Sequence, residues 1–263
     1  MYAFTLEQPK TLADAKRIAA SGVQALAGGQ TLIASLKQRL AQPGALVDLG
    51  GVAELRGIRR EGNSLVIGAM TRHEDVAMNA DVKAAIPGLA ALAGGIGDRQ
   101  VRAMGTLGGS VANNDPAACY PSAVLGLGAT VVTDRREIQA DDFFQGLYAT
   151  ALDSGELITA IRFPIPKKAA YAKFRQPASR FALVGVFVAL TDSGARVAIT
   201  GAGNGVFRHA GLEAALGKSF TPEAVQGVAI DAGSLNADLH ASAEYRAQLI
   251  RVQTQRAVAM ANG

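Results

Sequence analysis

Residues 25–40 read ALAGGQTLIASLKQRL, so two glycines and a hydroxyl residue stand directly before an apolar stretch with helical spacing. Leu32, Ile33, Leu36 and Leu40 recur on one helix face, and Pro43–Gly44 ends it. The run VQALA ahead of the glycines predicts a short buried strand. Bare backbone at such a junction has two uses. It permits a tight turn, or it brings N–H groups up to an anion at a helix N-terminus. There the first turn leaves donors unpaired and carries partial positive charge. On this segment alone, a strand-to-helix turn that holds nothing is the better reading. The segment lacks the Gly-Lys-Ser/Thr ending of a nucleotide P-loop and the G-x-G-x-x-G of a dinucleotide fingerprint.

A second segment changes the balance. GTLGGSVANNDPA sets Gly105, Gly108 and Gly109 beside Thr106, Ser110, Asn113, Asn114 and Asp115. It reads as a loop of bare backbone and short polar side chains, with apolar sequence on both sides. Two such loops, roughly 75 residues apart, suit one extended diphosphate ligand. A dinucleotide fits, its pyrophosphate on backbone N–H groups and its hydroxyls on Asn and Asp side chains.

The rest of the chain predicts mixed α and β structure. TLADAKRIAAS reads as a helix capped by Thr11, with Asp14 as a short capping-box acid. ALVDLG and SLVIGAM read as strands, with a turn at REGNS. A helical tract spans about Glu74 to Leu92, broken at Pro87–Gly88, and a small-residue helix lies near Pro121–Leu127. ATVVTD, REIQADDFF and GELITAIRFPIP continue a sheet, and FPIPKKAA reads as a linker. YAKFR, LVGVFVALTD and RVAITGAG predict a three-stranded unit with a turn at Asp192–Gly194. The tail predicts an amphipathic helix carrying Tyr245, Leu249 and Val252.

With 263 residues, 49% hydrophobic and 18% charged, the chain suffices for two modest domains or one large one. The net charge of +4 comes as scattered pairs (Arg59–Arg60, Arg135–Arg136, Lys167–Lys168) and forms no stripe, which argues against nucleic-acid binding. A single cysteine, Cys119, excludes an internal disulfide and leaves this chain unable to ligate an iron–sulfur cluster alone. His73, His209 and His240 show no ligand spacing, so no metal site is expected. The N-terminus has no secretory pattern, and no stretch approaches the roughly 18 apolar residues of a membrane span. A soluble cytoplasmic protein is expected.

The segments LAGGQTLIASLKQRLAQPGALVDLGGVAELRGI, IGAMTRHEDVA, VRAMGTLGGSVANNDPAACYP and GELITAIRFP resemble the flavin-binding medium subunit of the molybdenum hydroxylases. That family includes aerobic carbon monoxide dehydrogenases and xanthine dehydrogenase-type enzymes. ALVGVFVAL and SAEYRAQLIRVQTQRAV resemble its C-terminal domain, so the likeness covers nearly the whole chain. The resemblance implies an α+β chain. Residues 1–166 would form a two-subdomain FAD-binding domain of the vanillyl-alcohol-oxidase (PCMH) type, divided near 52/53. Residues 167–263 would form a small α+β domain with a three-stranded antiparallel sheet. FAD-contacting positions carry over as Ala27, Gly28, Gly29, Gln30, Thr31 and Leu32, then Thr106, Leu107, Gly108, Gly109, Ser110, Asn113 and Asp115. Gly97 would lie near the pyrophosphate or ribityl chain, Ile158 against the flavin ring, and Arg175 near its edge. For the last two, a core strand residue and a surface cation are equally good readings. Three departures stand out. Cys119 occupies a position where the family usually has an acidic residue, Ala103–Met104 replace a more polar pair, and the chain is short.

With no His or Cys in the first loop, the FAD is expected to be noncovalent. The implied role is a relay. A large molybdopterin subunit would hydroxylate the substrate, a small subunit would carry two [2Fe–2S] clusters, and FAD on this chain would pass electrons to an external acceptor. The assembly would be a dimer of heterotrimers. Two other readings remain open: a self-sufficient flavin oxidase or reductase of this fold, and a flavin-free assembly subunit.

Overall fold

The computed structural model describes residues 1–263 and is α+β. The chain opens with β1 (Thr5–Glu7), α1 (Leu12–Ala20), β2 (Gln24–Leu26), α2 (Leu32–Lys37) and β3 (Ala45–Asp48). The three strands form a parallel sheet in the order β1-β3-β2. Thr11 caps α1 as its sequence signals, accepting from the Asp14 N–H. VQALA does not form a buried strand. β2 is a sheet edge with half-exposed residues, because the central position belongs to β3. α2 is shorter than its apolar spacing suggests and stops before Arg39, which adopts φ 61°.

Next come β4 (Ile58–Glu61) and β5 (Ser64–Gly68), and then six helices: α3 (His73–Met78), α4 (Ala80–Ala85), α5 (Pro87–Gly94), α6 (Arg99–Met104), α7 (Leu107–Asn113) and α8 (Tyr120–Gly126). The tract from Glu74 breaks at Pro87 as read, and also at Asn79, whose side chain caps α4. The glycine-rich second segment is not a loop. Thr106 caps it into a helix, α7, which ends at Asn114 in the left-handed region (φ 43°). After β6 (Thr130–Thr133) and β7 (Glu137–Gln139), the ADDF of REIQADDFF forms a helical turn, α9 (Ala140–Phe143). A hairpin, β8 (Phe144–Gly146) with β9 (Ala149–Thr150), precedes β10 (Ile158–Pro164). Strands β4-β5-β10-β6-β7 make an antiparallel sheet in that order.

The remaining strands are β11 (Lys168–Arg175), β12 (Ala182–Thr191), β13 (Gly194–Thr200) and β14 (Phe207–Arg208), followed by α10 (Ala210–Lys218) and α11 (Ala243–Asn262). The three strands read from sequence are present, and the two-residue β14 extends the sheet on the β13 side. FPIPKKAA is not a free linker. Phe163–Pro164 belong to β10 and Lys168 onward to β11. The short link between them is tied down by Ile165 N–H to Asn63 O and Lys167 N–H to Leu190 O.

β12 explains why its sequence is a continuous apolar run rather than an alternation. Val184, Val186 and Val188 pack into the core under α11, whereas Phe187 and Ala189 pack into the core with α5 and α8. Both faces of the strand are covered, so both parities are apolar. Phe187 is fully buried, and Gly126 of α8 sits so close that an added Cβ would lie 3.0 Å from its ring. Gly88 of α5 likewise lies against the Ala169–Ala170 backbone.

Phe187→Ala should therefore lower the unfolding free energy by about 3–5 kcal/mol. Urea titration of the full chain checks this, and a loss below about 1 kcal/mol would mean that the sheet and the helices do not share this contact.

Candidate functional site

Between the small parallel sheet, the α6–α7 junction and the β11–β12 hairpin lies a cleft of about 520 Å³. That volume is ordinary for a ligand site. The two glycine segments meet along it. A Cβ on Gly28 would overlap Met104 O and Gly105 Cα, and one on Gly109 would come within 3.0 Å of Ala27 Cβ. A Cβ on Gly108 would strike Ala69. Glycine is required at these positions for main chain to pass main chain.

The two segments differ in what they leave free. At α7 all four leading N–H groups are already used. Leu107 donates to Thr71 O (3.0 Å) and Gly108 to Ala69 O (2.8 Å). Gly109 donates to Thr106 Oγ1 (3.2 Å) and Ser110 to Thr106 O (3.0 Å). At the first segment, the N–H groups of Gly28, Gly29, Gln30, Thr31 and Leu32 have no protein acceptor. Gly29 adopts φ +70°, and its carbonyl accepts from Ile33 N–H at 3.0 Å. Thr31 precedes α2 without capping it, so its hydroxyl is not committed there. An open row of donors at a helix entrance is an anion site. The second segment contributes uncommitted side chains instead: neither Ser110 nor Asn113 hydrogen-bonds within the chain through its side chain.

The cleft gathers Ala27, Gly28, Gly29, Gln30, Thr31, Leu32, Gly97, Thr106, Gly108, Gly109, Ser110, Asn113, Asp115 and Ile158. Two positions anticipated from sequence do not line it. Leu107 is fully buried in the core, with its N–H held by Thr71. Arg175 is exposed at the end of β11 and does not line the cleft, its guanidinium lying beside Gly95. Lys173, two residues earlier, lines the cleft and was not read from sequence. A charged residue in the interior of the strand YAKFR was the available signal. The hairpin residues Arg180 and Phe181 join it, and nothing local in their sequence announces that.

The titratable groups of the cleft are restrained. Burial, and then the Arg102 charge, push the His73 imidazole down to about 4, so it is neutral at pH 7. Asp115 accepts from Ala117 N–H (2.8 Å) and the Tyr148 hydroxyl (3.1 Å). Glu156 accepts from Arg136 (2.9 Å), Thr133 (2.7 Å) and Asp153 N–H (2.8 Å), with the Arg136 bonds the main cause holding its carboxyl near 2. Those bonds pin the turn that delivers Leu157 and Ile158 to the cleft wall. No group of three or more His, Cys, Asp or Glu side chains is placed to bind a metal. No helix is long and apolar enough to cross a membrane.

Residues 2–166 match the family described as the FAD binding domain in molybdopterin dehydrogenase. The carbon monoxide dehydrogenase medium chain of Hydrogenophaga pseudoflava is 35% identical over 274 aligned positions, covering 97% of this chain and 96% of that one. The structure of carbon monoxide dehydrogenase from Hydrogenophaga pseudoflava lacking the Mo-pyranopterin moiety superposes with a TM-score of 0.90. Identity there is 35%, with 99% and 97% of the two chains covered. Quinoline 2-oxidoreductase from Pseudomonas putida 86 superposes at 0.88 with 28% identity, covering 99% and 97%.

Glu156→Gln tests the framework of the cleft. The folded pKa lies below the ordinary 4.5, so the stabilisation is complete above about pH 5 and is lost as pH falls toward 2. The variant should be less stable than the parent by about 2 kcal/mol at pH 7, discounted for the half-exposed Arg136, and the gap should close by about pH 2. Urea midpoints at several pH values check it.

Proposed function

As the chain belongs to the FAD-binding family of molybdopterin dehydrogenases, we propose that it is the flavin-carrying electron-transfer subunit of a molybdenum-dependent hydroxylase. On this reading, electrons come from [2Fe–2S] clusters on a small partner subunit. They leave for an external acceptor, and substrate chemistry occurs on a large molybdopterin subunit. We place the assembly in the cytoplasm as a dimer of such heterotrimers. The family match ends at residue 166, and a new sheet starts at Lys168. Both support a boundary there between an FAD-binding domain (1–166) and a C-terminal domain (167–263).

The open donors from Gly28 to Leu32 carry the reading. The fit to FAD is good on chemical grounds. Five consecutive unpaired N–H groups at the entrance of α2 suit a pyrophosphate. Thr31, Ser110 and Asn113 bring uncommitted polar groups for hydroxyls. Gly28, Gly108 and Gly109 let the two segments approach closely enough to wall one cleft. Ile158 and the other apolar lining residues suit a planar ring. Bound FAD supplies the redox chemistry, exchanging one or two electrons. The chain's own residues hold and orient it and keep water from it. Noncovalent attachment is the expected mode, because the first segment has no His or Cys.

A self-sufficient oxidase would need a free acid or base in the cleft. His73 is buried and held neutral, Asp115 serves Ala117 and Tyr148, and Glu156 is locked by Arg136. These commitments support the relay.

The purified chain should take up FAD, release it on denaturation, and contain neither iron nor molybdenum. Gly28→Val should weaken FAD binding at least tenfold, about 1.4 kcal/mol, by forcing the two segments apart. Fluorescence titration measures both. A parent chain that takes up no flavin would overturn the assignment.

A further inference from the structure

One end of the cleft wall carries a cluster that the binding of a diphosphate does not use. Lys173 of β11 points its ammonium into the wall, where it donates to Gly95 O (2.8 Å), Arg180 O (3.2 Å) and Cys119 Sγ (3.4 Å). An ammonium has three donors, and these three contacts engage them all. None of the acceptors is a carboxylate. The acidic side chains of the cleft are bound elsewhere, Asp115 by Ala117 and Tyr148, and Glu156 by Arg136. Lys173 and Cys119 both line the cleft, although Cys119 is only 5% exposed. A second polar group neighbours the same cysteine. Tyr171 is buried and its hydroxyl has no hydrogen-bond partner; burial first, and then the neighbouring Cys119, push its ionisation up.

Among the three acceptors the sulfur is the farthest and the weakest. It occupies the third donor as a weaker acceptor than a carboxylate oxygen would be. A ligand atom with better acceptor strength can take that donor from it. A cation without a countercharge in a low-dielectric wall favours the more anionic form of whatever lies beside it. For a flavin that is the reduced form.

We infer that Cys119 is a positioning residue for the bound flavin. By offering Lys173 a sulfur instead of a carboxylate, it keeps the ammonium in the cleft wall as an unpaired charge and raises the flavin's reduction potential. This rests on the assignment of the cleft to FAD.

The test uses the full chain loaded with FAD, with potentials read by dye-linked photoreduction. Cys119→Asp should still bind FAD but should lower the ratio of reduced-form to oxidised-form affinity at least tenfold, about 30 mV for a two-electron couple. Cys119→Ser should keep the parent potential. An Asp variant with the parent potential would overturn the inference, as would a Ser variant that drops as far as the Asp variant. Lys173→Met removes the same charge without touching Cys119 and must also lower the potential about tenfold in that ratio. An unchanged potential there overturns the inference even if Cys119→Asp does not fold. A parent chain that takes up no flavin refutes instead the FAD assignment, so the two failures are distinguishable.

Discussion

The passage of Ala27–Gly28 against Gly105–Gly109 is the contact on which the site depends. It is a contact of main chain with main chain, made possible by missing side chains rather than by any attraction between present ones. The two segments come from different layers, one from the parallel sheet and one from the helices over the antiparallel sheet. Once they touch, their hydrogen-bonding needs are met in different ways. The second segment is fixed first: Ala69 and Thr71 after β5 accept from the leading N–H groups of α7, and Thr106 caps the rest. It is a closed platform. The first segment rests on that platform with its own donors unspent. Stability and binding are thereby divided between two helix entrances of similar composition.

The C-terminal sheet is part of the same construction. β12 alternates between two cores, so its strand can neither slide nor turn over without exposing one of them. That rigidity reaches the cleft through short links. Gly201 N–H and the Thr200 hydroxyl hold Pro116 O at 2.7 and 2.8 Å, and the same hydroxyl lies 2.7 Å from Ala118 O. Arg246, buried in α11, in turn donates to Gly201 O and Leu183 O and pairs with Asp238. A chain of polar contacts thus runs from the last helix to the segment 115–119 that walls the cleft. Each member would be costly to leave unpaired in that interior.

Much of this was legible in residues. The cap at Thr11 and the break at Pro87 are local signals, and local rules read them correctly. What escaped was non-local. Gly and Asn disguised α7 as a loop, because its stability comes from Thr71 and Ala69, well upstream in the chain. The leading donors of α7 therefore looked free in sequence and are not. The face α11 buries includes Arg246, Gln253 and Thr254, so an apolar count put Tyr245 on the wrong side, where it is 46% exposed. Arg175 was carried over from the resemblance and not from any local rule; it is exposed at the end of β11, whereas Lys173 lines the cleft.

The charges around the cleft follow one logic. Each acidic side chain at its rim is answered by a partner within the chain, and the imidazole is kept uncharged chiefly by burial. The only ammonium in the wall is answered by two carbonyls and a sulfur. Acid–base chemistry is thus removed from the cleft while positive potential is retained. An arrangement of this kind suits a multiply charged ligand, with the acids and the imidazole of the cleft either hydrogen-bonded within the chain or uncharged. The division of labour proposed for the chain, with electrons handled here and bond chemistry elsewhere, is what such a charge arrangement permits.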